Sequence, residues 1–235
     1  EELLPAPSNP QPTPARRVRP VRETTQNEIL FVELDKVQTQ VRIESNEPEL
    51  AKAPAVPAMV FNEYFGGGMS GLVFQEIRES RALAYSAGAA YVLGTEPGEP
   101  SLMIQVAGTQ AEQTNQALNA MNDLFENMPR EEGRFEQALQ AIENRIRTER
   151  VGFRSLIGTI RQWERLGFTE DPNKAWFAEM QTLTWNEFQN FYETEIKSGP
   201  WRITIVGNKN RIGKLDLEES TQLKTVDVKD IFPKE

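Results

Sequence analysis

FNEYFGGGMSGLVFQEIRESRALAYS, residues 61–86, is the stretch on which the fold turns. Val60, Phe61, Tyr64 and Phe65 recur at helical spacing, so one side of a helix is apolar. Gly66, Gly67 and Gly68 stop that helix, because glycine accepts the left-handed backbone that a helix end often takes. A second helix starts near Ser70 and turns Val73, Phe74 and Ile77 inward, with Arg78 in its last turn. A charged turn follows, and Tyr85 stands on the strand that leaves it.

The flanks extend this pattern. Upstream, Val37, Thr39, Val41 and Ile43 alternate with Gln38, Gln40 and Arg42, the period of a half-buried strand. A proline-punctuated run over 48–57 separates it from the first helix. Downstream, residues 84–93 and 102–107 read as strands joined by a turn holding Gly94, Pro97, Gly98 and Pro100. Thr109 and Glu112 have the spacing of a capping box ahead of Ala117, Leu118, Met121, Leu124 and Phe125. Phe135, Leu139, Ile142 and Ile146 mark another helix, and Phe153, Leu156, Ile157, Ile160 and Trp163 mark one that closes at Gly167. Asp171-Pro172 opens a short helix through Trp176, Phe177 and Met180. Thr184 and Glu187 repeat the capping-box pattern before Phe188, Phe191 and Tyr192, and residues 201–206 form a last strand ended by Gly207.

Strands and helices are therefore segregated, which predicts an α+β fold: a mostly antiparallel sheet with helices packed on one face. Residues 1–28 read as a proline-rich linker, with Pro5, Pro7, Pro10, Pro12, Pro14 and Pro20 interleaved with Arg16, Arg17 and Arg19. Residues 29–207 make the domain, and residues 208–235, with Asp216, Glu218, Glu219, Asp227 and Asp230, an acidic return segment. The start without methionine points to a mature product or an excised piece.

Composition removes whole classes of chemistry. The 235 residues include no histidine and no cysteine, so imidazole and thiolate are missing as zinc ligands, bases and nucleophiles. Carboxylates and carbonyls remain, and these suit magnesium or calcium rather than a catalytic zinc. A formal charge of −9 opposes generic nucleic-acid binding. No apolar run approaches the roughly 20 residues of a membrane span. A stand-alone hydrolase using only carboxylates would need an acid pair, and none stands out from the many Asp and Glu.

Two glycine patterns are decoys. Residues 66–71 satisfy G-x-G-x-x-G, but a helix precedes them where a dinucleotide site needs a strand. Residues 207–214 have one residue too many between their glycines for a phosphate loop, and Leu215 stands where Ser or Thr should hold magnesium.

The glycine-rich turn, the helix VFQEIRE and the strand opening LAYS together resemble the second, non-zinc half-domain of pitrilysin/insulinase-type (inverzincin) zinc peptidases. The mitochondrial processing peptidase subunits are similar, and the likeness runs from residue 37 to about 207. It implies that Arg78 and Tyr85, seven residues apart, face the zinc of a partner half-domain across a closed chamber and bind substrate and oxyanion. Taken without the resemblance, Arg78 would answer the helix dipole or pair with a nearby Glu, and Tyr85 would pack in the core. The family usually has glycine where this chain has Ala82. Its zinc motif, H-x-x-E-H, is impossible here.

The resemblance further implies that this chain binds no metal and is inactive alone, with zinc carried by the partner half. That half either precedes it in the same polypeptide, joined by the linker, or is a separate subunit. The remaining alternative is an inactive relative that acts as a scaffold or assembly subunit. A peptide substrate, added along the sheet edge near residues 84–91, is expected. A periplasmic or other extracytoplasmic location is favoured over a cytoplasmic one.

Overall fold

The computed structural model describes residues 24–46, 55–94, 99–197, 199–216 and 221–231. Most of the linker, together with Glu218 and Glu219, lies outside these residues. The chain begins with β1 (Glu28–Glu33) and β2 (Gln38–Asn46), then α1 (Ala55–Phe61), which widens into a π-helical turn over Asn62–Gly66. Next come α2 (Phe74–Ser80, also π-helical), β3 (Ser86–Val92), β4 (Leu102–Gln110), α3 (Thr114–Glu126) and α4 (Glu132–Thr148). α5 (Leu156–Arg165), α6 (Asn173–Met180) and α7 (Trp185–Phe191, continued over Tyr192–Ile196) follow. β5 (Arg202–Gly207), α8 (Lys209–Ile212), β6 (Gln222–Val226) and α9 (Val228–Ile231) complete the order.

The six strands form one sheet, β3-β4-β2-β5-β1-β6. β3–β4, β4–β2 and β2–β5 are antiparallel, but β1 is parallel to both its neighbours. The fold is α+β as expected, and the sheet is mixed rather than purely antiparallel. Two strands had no sequence signal of the expected kind. In β1, Ile29, Phe31 and Val32 are buried and Leu30 is half-buried, so a strand covered on both faces lacks alternation. β6 is a polar edge strand, QLKTV, with four exposed residues.

Along β2 the alternation is as expected: Thr39, Val41, Ile43 and Ser45 are buried, while Gln38, Gln40 and Arg42 are exposed. The buried face meets an aromatic layer supplied by α1, α3 and α7. Phe61 stacks on Phe65 at 5.1 Å, and Tyr64 meets Trp185 and Phe188 edge-on at 5.5 Å each. Such pairs contribute about 0.5–1.5 kcal/mol each beyond the area they bury.

The phenols in this layer are tied to backbone. Tyr64 Oη donates to the Pro129 carbonyl (2.6 Å) and accepts from the Glu131 N–H (2.9 Å). Burial pushes the Tyr64 phenol up to about 12, although the Glu131 amide pulls the other way. Tyr192 Oη donates to the Phe125 carbonyl, and burial raises its pKa as well.

The helix starts divide. Thr184 and Glu187 form the expected capping box: the Thr184 hydroxyl accepts from Glu187 N–H, and the Glu187 carboxylate accepts from Thr184 N–H (2.8 Å). At α6, Asp171 caps the Asn173 N–H (2.9 Å), one residue past the expected proline start. The first capping box is corrected: Thr109 belongs to β4 and its hydroxyl donates to the Leu83 carbonyl, while Glu112 pairs with Arg211. A sheet residue with a nearer acceptor is not available as a cap.

Two substitutions check this packing. Tyr64→Phe leaves the Pro129 carbonyl and Glu131 N–H without their partner and is expected to cost about 1–3 kcal/mol in a urea-unfolding midpoint series. Thr184→Ala is expected to cost about 1 kcal/mol. Hydrogen bonds from the Thr184 backbone and hydroxyl hold the Glu187 carboxyl below its ordinary range, so this cap stabilises above about pH 4.5. Its contribution is lost as pH falls through the lowered folded value.

Candidate functional site

The turn between α2 and β3 decides where the two predicted site residues stand. The Leu83 N–H donates to the Ile77 carbonyl (2.9 Å), and the Leu83 carbonyl accepts from Thr109 on β4 (2.6 Å). Ile77 is fully buried and Ala84 nearly so, which pins both ends of the turn to the core. Between them Ala82 takes φ +50°, the only positive-φ residue other than glycine among the described residues. A Cβ in this region costs roughly 1–2 kcal/mol, which is why glycine would fit this place with less strain than alanine.

Arg78 and Tyr85 are brought together. The Arg78 guanidinium carbon lies 5.8 Å from the centre of the Tyr85 ring and 4.7 Å from that of Phe74. Its contact with Glu79 is long, 3.6 Å, and its side chain is 41% exposed. Tyr85 is 76% exposed, so the expectation that it would pack in the core, absent the family resemblance, fails. Its backbone N–H is fixed to the Gly108 carbonyl (2.8 Å), so the ring projects from an anchored main chain. Two strong donors thus share one exposed corner of the domain.

Polar groups that sequence reasoning passed over lie beside this corner. The register sets Ser86 opposite Gly108 and Gly108 opposite Gln40, a row across three strands next to Tyr85. Ser86 and Gln40 are exposed. The signal was present in the outward phase of the β2 alternation, which carries Gln38, Gln40 and Arg42.

β3 is an edge of the sheet, as a peptide-pairing strand must be, but only part of that edge is open. The Asn62 side chain covers the edge at Tyr91, accepting from its N–H (2.6 Å) and donating to its carbonyl (2.9 Å). Gly66 lies so close to β3 that a Cβ there would stand 1.9 Å from the Ala89 carbonyl oxygen. The glycine-rich turn is therefore a helix-to-helix connection packed on the sheet edge, with Gly68 in the left-handed region at φ +54°. A cleft of about 450 Å3 beside it is lined by Ser70, Gln75, Glu131, Gly133, Arg134 and Gln137, and holds neither Arg78 nor Tyr85.

No group of three or more Asp or Glu with metal-ligand geometry occurs among the described residues. With no imidazole or thiolate in the chain, its donor set does not fit zinc.

The fold is thus an α+β domain with Arg78 and Tyr85 together at one exposed corner. Residues 2–142 match the family model described as the peptidase M16 inactive domain, so the chain belongs to that family. Three solved structures share the fold. A peptidase M16 inactive domain from Pseudomonas fluorescens is 13% identical with a TM-score of 0.68, over 83% of this chain and 47% of that one. The periplasmic protease PqqL from Escherichia coli is 12% identical with a TM-score of 0.63, over 84% and 22%. A chain of complex III2 from Candida albicans, with Inz-5 bound, is 12% identical with a TM-score of 0.55, over 81% and 48%. The chain thus spans half or less of each of these relatives. No curated protein matches it.

Ala82→Gly is expected to raise the thermal midpoint by an amount equivalent to about 0.5–1 kcal/mol, the relief of the left-handed Cβ less the added chain entropy. A lower midpoint would show that the turn needs the methyl group more than it needs glycine.

Proposed function

We propose that this chain completes the peptide-binding chamber of a zinc endopeptidase or oligopeptidase, with Arg78 and Tyr85 binding the substrate carbonyl and the oxyanion that develops on it. The observation that carries the reading is the exposed Arg78–Tyr85 pair, 5.8 Å from guanidinium carbon to ring centre and fixed by a tightly bonded turn. A guanidinium and a phenol are suited to this work because both donate along defined directions to oxygen. Donors held in place before the reaction need no reorganisation as charge develops. The metal, water activation and general base would come from the zinc-bearing half, in the same polypeptide or a separate subunit.

The open part of the β3 edge beside Tyr85 suits an extended peptide, which would add as a strand and run toward Arg78. Ser86 and Gln40 would then contact its side chains or backbone. An extracytoplasmic site of action is consistent with the fold shared with a periplasmic protease. The rival reading is an inactive relative serving as a scaffold or assembly subunit, and it draws on the same fold occurring in a complex III2 chain.

Peptide hydrolysis by the zinc-bearing half, with and without this chain, separates the two. Activity is expected only in the combination. Arg78→Ala and Tyr85→Phe are each expected to lower kcat about a hundred-fold, with folding stability within about 0.5 kcal/mol of the parent because both side chains are exposed. A combination that holds zinc and remains inert would establish the scaffold reading. Full activity in both variants would remove the assigned roles while leaving the half-domain assignment intact.

A further inference from the structure

α5 is unlike every longer helix of the domain, because none of its residues is buried. Helical spacing gathers Leu156, Ile157 and Ile160 on one side, with Phe153 in the turn just before. These residues are exposed by 44%, 66%, 40% and 82%, a contiguous apolar face of the kind that marks an interaction site. The adjoining flank, through Thr159, Gln162 and Trp163, is half-covered, so the helix rests on the domain by that edge and presents Phe153 and Ile157 outward.

Charge identifies what this face fits. Residues 145–165 hold six arginines against two glutamates, in a chain whose formal net charge is −9. Arg154, Arg161 and Arg165 form a stripe at spacings of seven and four, bordering Ile157. Arg154 stacks on Phe153 at 5.2 Å, and neither Arg154 nor Arg161 makes an ion pair among the described residues. The apolar side is a convex helix surface with Phe153 projecting from it, not a groove shaped for a partner side chain. An apolar convex face beside a row of arginines meets the requirements of a lipid headgroup boundary. There the hydrocarbon accepts side chains without shape matching, and the anionic phosphates accept guanidinium. An antiparallel face-to-face pairing of two copies would instead bring arginine stripe near arginine stripe.

We propose that α5 is a peripheral membrane-docking element, laying Phe153, Leu156, Ile157 and Ile160 on an anionic lipid surface while Arg154, Arg161 and Arg165 contact its phosphates. No helix of the described residues is long and apolar enough to cross a membrane, and this mode requires none. The face lies on an element separate from the Arg78–Tyr85 corner, so docking and the proposed chamber do not compete for the same residues.

The test is co-sedimentation of the full chain with vesicles of phosphatidylcholine alone and of phosphatidylcholine mixed with phosphatidylglycerol. Binding is expected only to the phosphatidylglycerol vesicles, weakening as salt is raised. The double variant F153E/I157E is expected to lose at least ten-fold (about 1.4 kcal/mol). Arg154→Gln and Arg161→Gln should each weaken binding about five-fold, and Glu164→Gln should strengthen it. All five altered positions are exposed, and an unchanged thermal midpoint verifies the fold. Equal binding to both vesicle types, or binding indifferent to F153E/I157E, would overturn the proposal. So would a concentration-dependent dimer abolished by that variant, which would assign the face to a second copy.

Discussion

The two hydrogen bonds at Leu83, one to Ile77 and one from Thr109, are the constraint on which the candidate site depends. They tie the five-residue connection 81–85 to both α2 and β4 and so hold the main chain of Arg78 near that of Tyr85. The buried neighbours Ile77 and Ala84 anchor the turn, and a left-handed Ala82 is strained to make the connection. Strain retained at such a place is consistent with a geometry that the surrounding packing determines. The aromatic layer of Phe61, Tyr64, Phe65, Phe125 and Phe188 fixes α1 and its glycine turn beside that connection, which in turn closes the far part of the β3 edge.

A second constraint is chemical. A chain without histidine or cysteine has only oxygen donors, lysine and arginine with which to act. What its exposed corner provides is donors, Arg78 and Tyr85, and donors stabilise charge that another group creates. Membership of the peptidase M16 inactive-domain family is in keeping with a chain that has no histidine and no cysteine.

Much of the fold was legible because period and burial agree. β2 alternates strictly, β3 and β4 fall within a few residues of their expected limits, and the Thr184–Glu187 box forms as its spacing requires. β1 escaped because burial on both faces erases the period of two, and β6 because a polar edge strand has little to distinguish it from a loop. Thr109 was misread because a Thr three residues before a Glu fits a cap or a strand end equally well until a partner such as the Leu83 carbonyl is known. At the site, the spacing of Arg78 and Tyr85 was legible, but the residues alone put Tyr85 in the core and only the family resemblance turned it outward. A tyrosine opening an apolar strand ordinarily faces inward, and only the turn geometry projects it outward. The open face of α5 was equally hidden, since its apolar spacing is that of a helix packed on a core.

The central claim is that this chain contributes hydrogen-bond donors and no metal to its assembly. Zinc content measured by plasma spectrometry after dialysis, on the chain alone and on the chain with its complementary half, tests it most directly. The account predicts no stoichiometric zinc on the chain alone and one zinc in the assembly, retained unchanged in Arg78→Ala. One zinc held by the chain alone would contradict it.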